Sequence, residues 1–75
     1  MNQEKNKMDK TVEITKRELE VLEFLADGMT TDDIAREMFL SPATVDTHRR
    51  NIIKKLDVNN ITEAVAHGLR TGLIK

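Results

Sequence analysis

The chain has no cysteine, no tryptophan and no tyrosine, and only two histidines. Without thiols, neither a disulfide nor a thiolate metal site can brace it, and two isolated histidines cannot build a structural zinc site. No apolar run approaches the roughly 20 residues of a membrane span, and no signal-peptide pattern opens the chain. These absences point to a cytoplasmic protein that carries no metal or other cofactor and does not enter a membrane. The residues do not assemble a nucleophile, a base and an oxyanion site either, so an enzyme is not expected. A length of 75 residues allows one small domain, whose marginal core must be helped by locally well-specified elements.

Net charge is also nearly missing, at −1. Taken alone it argues mildly against nucleic acid as a partner, so its distribution matters. From Glu18 to Glu37 the acids Glu18, Glu20, Glu23, Asp27, Asp32, Asp33 and Glu37 stand against the single base Arg36. From Pro42 to Leu56 the order reverses, with Arg49, Arg50, Lys54 and Lys55 against Asp46. The small total conceals a dipolar chain.

Residues 1–12, MNQEKNKMDKTV, are polar and aperiodic and read as a disordered arm or linker ahead of a domain at 13–75. Within that domain the pattern predicts four helices and an all-α fold. Thr15, Thr30, Ser41 and Asn60 each offer an N-cap oxygen, with Glu18, Asp33 and Glu63 at N3 of the first, second and fourth helices. Gly28, the Asp57-Val58-Asn59 run and Gly72 mark helix ends. Apolar stripes at helical spacing predict a core of Val21, Leu22 and Leu25; Ile34, Ala35 and Met38; Val45, Ile52 and Leu56; and Ala64, Val65 and Leu69. Phe24 and Phe39 are the only aromatics, and Phe39 reads as a lid on that core. His67 reads as exposed.

The most informative stretch is residues 30–50, TTDDIAREMFLSPATVDTHRR. It holds two short amphipathic helices joined by a tight turn, with Ala35 small enough to let the backbones cross. Ser41 and Pro42 open the second of them as N-cap and first helical residue. That is the layout of a helix-turn-helix, whose second helix, here about 42–56, enters the DNA major groove.

Further blocks extend the pattern: Thr15-Lys16-Arg17-Glu18-Leu19-Glu20-Val21-Leu22, Gly28, Asp33-Ile34-Ala35, Ser41-Pro42-Ala43-Thr44-Val45-Asp46-Thr47-His48, Asn51-Ile52 and Lys55-Leu56. In order and spacing they resemble the LuxR-type (FixJ/NarL-like) helix-turn-helix domain over about residues 13–74. One position departs, because the family commonly carries Arg after Asn60 and this chain has Ile61. The resemblance implies a bacterial-type transcription regulator, either stand-alone or the output domain of a larger response regulator. It also implies double-stranded DNA as partner, with RNA polymerase a further candidate. Dimerisation on DNA through the last helix is implied too, with Ile61, Thr62, His67 and Arg70 as candidate contacts and a weak interface in free solution.

The residues point to the same surface. With Val45, Ile52 and Leu56 turned inward, the other face of the third helix presents Ala43, Asp46, Thr47, Arg50 and Lys54, with Asn51 beside them. Arg50 can pair with guanine, Thr47 with thymine, and Asp46 can accept from cytosine N4 or hold Arg50 four residues on. The resemblance places base reading at these same positions, Asp46, Thr47 and Arg50. Phosphate contacts are expected from Thr30, Thr31, Thr44, Arg49, Asn51, Lys54 and Lys55, the first two at the positive end of the second helix. His48 borders the buried face and reads as packed or phosphate-contacting. A second class of function stays open, in which the acidic first half docks a protein and the domain no longer binds DNA.

Overall fold

Four side chains set where the helices start. In the computed structural model, which describes residues 14–75, Thr15, Thr30, Ser41 and Asn60 cap α1 (Lys16–Ala26), α2 (Thr31–Met38), α3 (Pro42–Leu56) and α4 (Ile61–Thr71). No strand occurs among the described residues. The arm expected at residues 1–12 lies outside them. Thr15 and Thr30 form reciprocal boxes with Glu18 and Asp33. At α4 the reciprocity shifts by one residue. Asn60 accepts from the Glu63 amide, while the Glu63 carboxylate accepts from the Asn59 N–H. Each cap is worth on the order of 1 kcal/mol.

The helix ends follow the expected glycines only in part. Gly28, at φ +86°, closes α1 with the Met29 N–H reaching back to the Phe24 carbonyl at 3.1 Å, and Gly72 closes α4 in the left-handed conformation. The other two ends use non-glycine residues in the left-handed conformation: Asp57 at φ +57°, inside the expected Asp57-Val58-Asn59 break, and Phe39 at φ +58°, which carries no such signal.

Helix α3 is the central element, packed against α1, α2 and α4, and α1 also meets α4. The core holds Val21, Leu22, Ile34, Ala35, Met38, Val45, Ile52, Leu56, Ala64 and Ile74. Leu25 and Val65, expected inside, are half-buried at its edge. Three expectations need correction. Phe39 is 94% exposed and covers nothing, because its left-handed position in the turn carries the ring away from the core. Leu69 is 50% exposed. Its stripe is displaced toward Ala64 and Gly68, where a Cβ on Gly68 would lie 3.1 Å from Ile74 and 3.2 Å from Leu22. A Cβ there would require these side chains to give by a few tenths of an ångström, because Ile74 folds back to fill the site, its N–H donating to the Gly68 carbonyl at 3.1 Å. His67 is half-buried rather than exposed.

Among the described residues one charged side chain is interior. Glu18 is buried, with its carboxylate accepting from Lys55 Nζ at 2.8 Å and from the Thr15 N–H at 2.9 Å. Burial pushes the Glu18 carboxyl up, but the Lys55 hydrogen bond, the Thr15 amide, the Lys55 charge and the Thr15 hydroxyl outweigh it. The group therefore titrates below the usual carboxylate range. The pair ties the start of α1 to the last turn of α3.

Candidate nucleic-acid interface

The outward face of α3 is built by subtraction. Val45, Ile52 and Leu56 are drawn into the core, and helical spacing then leaves Ala43, Asp46, Thr47, Arg50 and Lys54 exposed together, with Asn51 half-buried beside them. The face is short-chained at its start, where Ser41 and Pro42 open the helix, and cationic toward its end. A helix that enters a groove by its first turns needs this taper.

Hydrogen bonds along α3 order the face before any ligand arrives. Arg50 Nη2 donates to Thr47 Oγ1 at 3.2 Å, and that hydroxyl donates to the Ala43 carbonyl at 3.1 Å. The expected pairing of Asp46 with Arg50 does not occur. Asp46 Oδ1 instead lies 3.9 Å from Arg49 Nη1, while Arg50 takes Thr47, three residues before it, as its partner. At 3.9 Å and half exposure this ion pair contributes little, roughly 0–1 kcal/mol. It still leaves Asp46 on the outward face with an oxygen to spare.

Arg49 joins the two helices of the motif. Its guanidinium donates to the Thr31 hydroxyl at the first residue of α2, so the head of this half-buried side chain is engaged within the fold. Thr30 accepts from the Asp33 amide at 3.1 Å, and Thr44 shares a hydrogen bond with Ser41 at 2.9 Å. The Thr30 hydroxyl also hydrogen-bonds the Asp33 carboxylate, so a phosphate at this cap meets that hydroxyl only in competition with Asp33. Asp32 and Asp33 oppose an anion at this helix start. The Thr30 hydroxyl, the Thr30 amide and Arg36 hold the Asp33 carboxyl below its ordinary value, so it stays ionised.

The ten residues singled out from the sequence therefore fall into three groups. Asp46, Thr47, Arg50 and Lys54 stand exposed on α3. Thr30, Thr31, Thr44, Arg49 and Asn51 lie on the adjoining rim. Lys55 is turned to Glu18. Two long-range partnerships, Glu18 with Lys55 and Thr31 with Arg49, were absent from the sequence reading, since a capping box and a helix face each explained one partner locally. His48 Nδ1 is buried without a hydrogen-bond partner among the described residues, which fits a packed imidazole. No cluster of metal-binding side chains forms among the described residues, and none of their helices is long and apolar enough to cross a membrane.

Comparison with known proteins converges on one family. Residues 12–67 match the luxR family of bacterial regulatory proteins. The uncharacterized response regulatory protein YgeK of Escherichia coli is 48% identical over 61 residues, covering 81% of this chain and 42% of its own. The transcriptional regulatory protein LiaR of Bacillus subtilis is 44% identical over 61 residues, 81% of this chain and 29% of its own. This chain thus spans less than half of either relative. The spore germination protein GerE of Bacillus subtilis is 46% identical over 59 residues, 79% of this chain and 80% of its own. A solved structure of the transcription factor GerE superposes with a TM-score of 0.74 at 36% identity, covering 77% of this chain and 87% of that one.

Proposed function

The chain belongs to the luxR family of bacterial regulatory proteins, and on that premise we propose that it is a sequence-specific double-stranded DNA-binding transcription regulator, not an enzyme, working in the cytoplasm. The observation that carries the reading is the exposed Ala43–Lys54 face of α3, whose opposite side is locked into the core. Laid in the major groove, this face offers Arg50 to guanine O6 and N7. Thr47, whose hydroxyl is already engaged on both sides, offers its methyl to thymine, and Asp46 accepts from cytosine N4. Thr30, Thr31, Thr44, Arg49, Asn51 and Lys54 then hold phosphates and set the register. The Thr31–Arg49 pair suits a phosphate oxygen, one hydroxyl and one guanidinium meeting it together.

Base and phosphate roles separate in a binding experiment. Arg50→Ala is expected to cost roughly 1–3 kcal/mol on the preferred duplex and to relax preference at one position. Lys54→Ala is expected to weaken all duplexes alike and to lower the salt slope by about one unit. Equal weakening of preferred and random duplexes by Arg50→Ala rules out base reading by that residue.

We also propose that two copies meet through α4 only when DNA aligns them. Ile61 is half-buried and cannot anchor an interface alone, but the exposure of Leu69 adds an apolar contact that the sequence pattern had placed inside. Two such side chains lie far short of the ~1,200–2,000 Å² that a stable interface buries. Sedimentation should find a monomer, and titration onto paired half-sites should find cooperative filling, the duplex supplying effective concentration. A tight dimer without DNA contradicts this.

A further inference from the structure

Phe39 sits in the turn between α2 and α3 with a left-handed backbone, φ +58°, and a ring 94% exposed. A bulky residue in that region is strained, and glycine or asparagine would serve the turn at lower cost. The ring returns no burial to the fold. An uncommon backbone joined to an unburied aromatic calls for a use outside the fold.

The surroundings give that use a chemistry. Phe39 lines a surface groove of about 520 Å³ with Phe24 and Met38, and its polar walls are Glu20, Glu23, Glu37 and Arg17. None of the three glutamates forms an ion pair with a described residue. The groove combines an apolar lining, with the exposed Phe39 ring projecting from it, and a net-anionic rim. Such a rim is repelled by phosphate and by a second copy of itself, but it is complementary to a basic peptide segment. Aromatic side chains at the centre of a polar rim are what interfaces use as anchors.

We propose that this groove docks a basic segment of a partner protein, an apolar side chain of that segment packing on Phe39 and Phe24 while its Lys or Arg residues meet Glu20, Glu23 and Glu37. The docking leaves the outward face of α3 uncovered, so partner and duplex bind the domain together. This goes beyond the DNA reading and does not depend on it.

The test titrates the isotope-labelled full chain, observed by amide NMR, with an amphipathic peptide of Leu and Lys, and with the same peptide carrying Glu in place of Lys. The Lys peptide is expected to shift the amides of residues 20–24 and 37–39, and the Glu peptide to leave them in place. Phe39→Gly is expected to weaken the Lys peptide at least tenfold with duplex affinity unchanged and Tm equal to or a few degrees above the parent, which separates lost binding from lost folding. The double variant Glu20→Lys, Glu37→Lys should lose the peptide equally. Groove amides unmoved at millimolar Lys peptide, shifts spread evenly over Asp27, Asp32 and Glu63, or peptide affinity unchanged in Phe39→Gly overturns the proposal. So does a loss of duplex binding in Phe39→Gly, which would make the ring a DNA contact, or a concentration-dependent dimer that Phe39→Gly abolishes.

Discussion

Ile52→Ala is expected to lower the stability of the domain by about 2–5 kcal/mol. Ile52 is 0% exposed and sits on α3, which meets each of the other three described helices. Truncation therefore opens a cavity where no single neighbour can move in without leaving another. A domain this small holds only about 5 kcal/mol or somewhat more, so a loss at the upper end of that range unfolds a large fraction of molecules at room temperature. Urea denaturation gives the measurement. Duplex affinity should fall only by the unfolded fraction and recover with excess duplex, since binding to the folded state shifts the equilibrium. Wild-type melting combined with lost DNA binding would place Ile52 on the contact face instead.

That face assignment was legible in the sequence, and the reason is local. Thr15, Thr30, Ser41 and Asn60 announce their helices because capping involves only the next three residues, and Val45, Ile52 and Leu56 follow from period alone. The all-α class, the helix-turn-helix and the family follow from the same local signals. What stayed hidden is what depends on distance or on an unusual backbone. Gly68 could not be read as core because it has no side chain to count. Its burial depends on Ile74, which lies beyond the helix and outside any periodic stripe, and that shift is what turns Leu69 outward. From the sequence Phe39 reads as a lid on the core. Nothing in its neighbours marks the left-handed backbone that exposes it.

The candidate site shows the same division. The exposed group of Asp46, Thr47, Arg50 and Lys54 needs only helix geometry, so the spacing defined it. The partners of the charged members needed the tertiary structure. Asp46 turns to Arg49 because Arg49 is already held at the edge of α2 by Thr31, 18 residues away. Lys55 turns to Glu18, 37 residues away; helix period sets it off the outward stripe that holds Lys54, but a partner supplied by α1 has no local signature.

Lys55→Met is accordingly expected to be severe, costing roughly 3–5 kcal/mol, because it strands the Glu18 carboxylate in the interior. Glu18→Gln should cost less, about 1–2 kcal/mol. The stranded ammonium in that variant is 28% exposed, against 4% for the Glu18 side chain, and its flexible stem can carry the charge to water. The pH dependence identifies the cause. In the parent the folded-state Glu18 carboxyl lies below its unfolded value, so its contribution is complete above about pH 4.5 and is lost as pH falls through the folded value. In Lys55→Met burial is opposed only by the Thr15 contacts. The carboxyl then moves up, and the gain in stability across the acid range flattens. Asp33 titrates below its ordinary value in both proteins and cancels in the difference. Thermal melts from pH 3 to 7 should therefore converge at the acid end and diverge toward neutrality, whereas parallel curves would mean that the pair does not govern Glu18. Salt titration of duplex binding completes the test. A Lys55 held by Glu18 contributes nothing to the salt slope, so folded Lys55→Met should keep the parental slope while Lys54→Ala loses about one unit. A matching loss in Lys55→Met would return Lys55 to the phosphates.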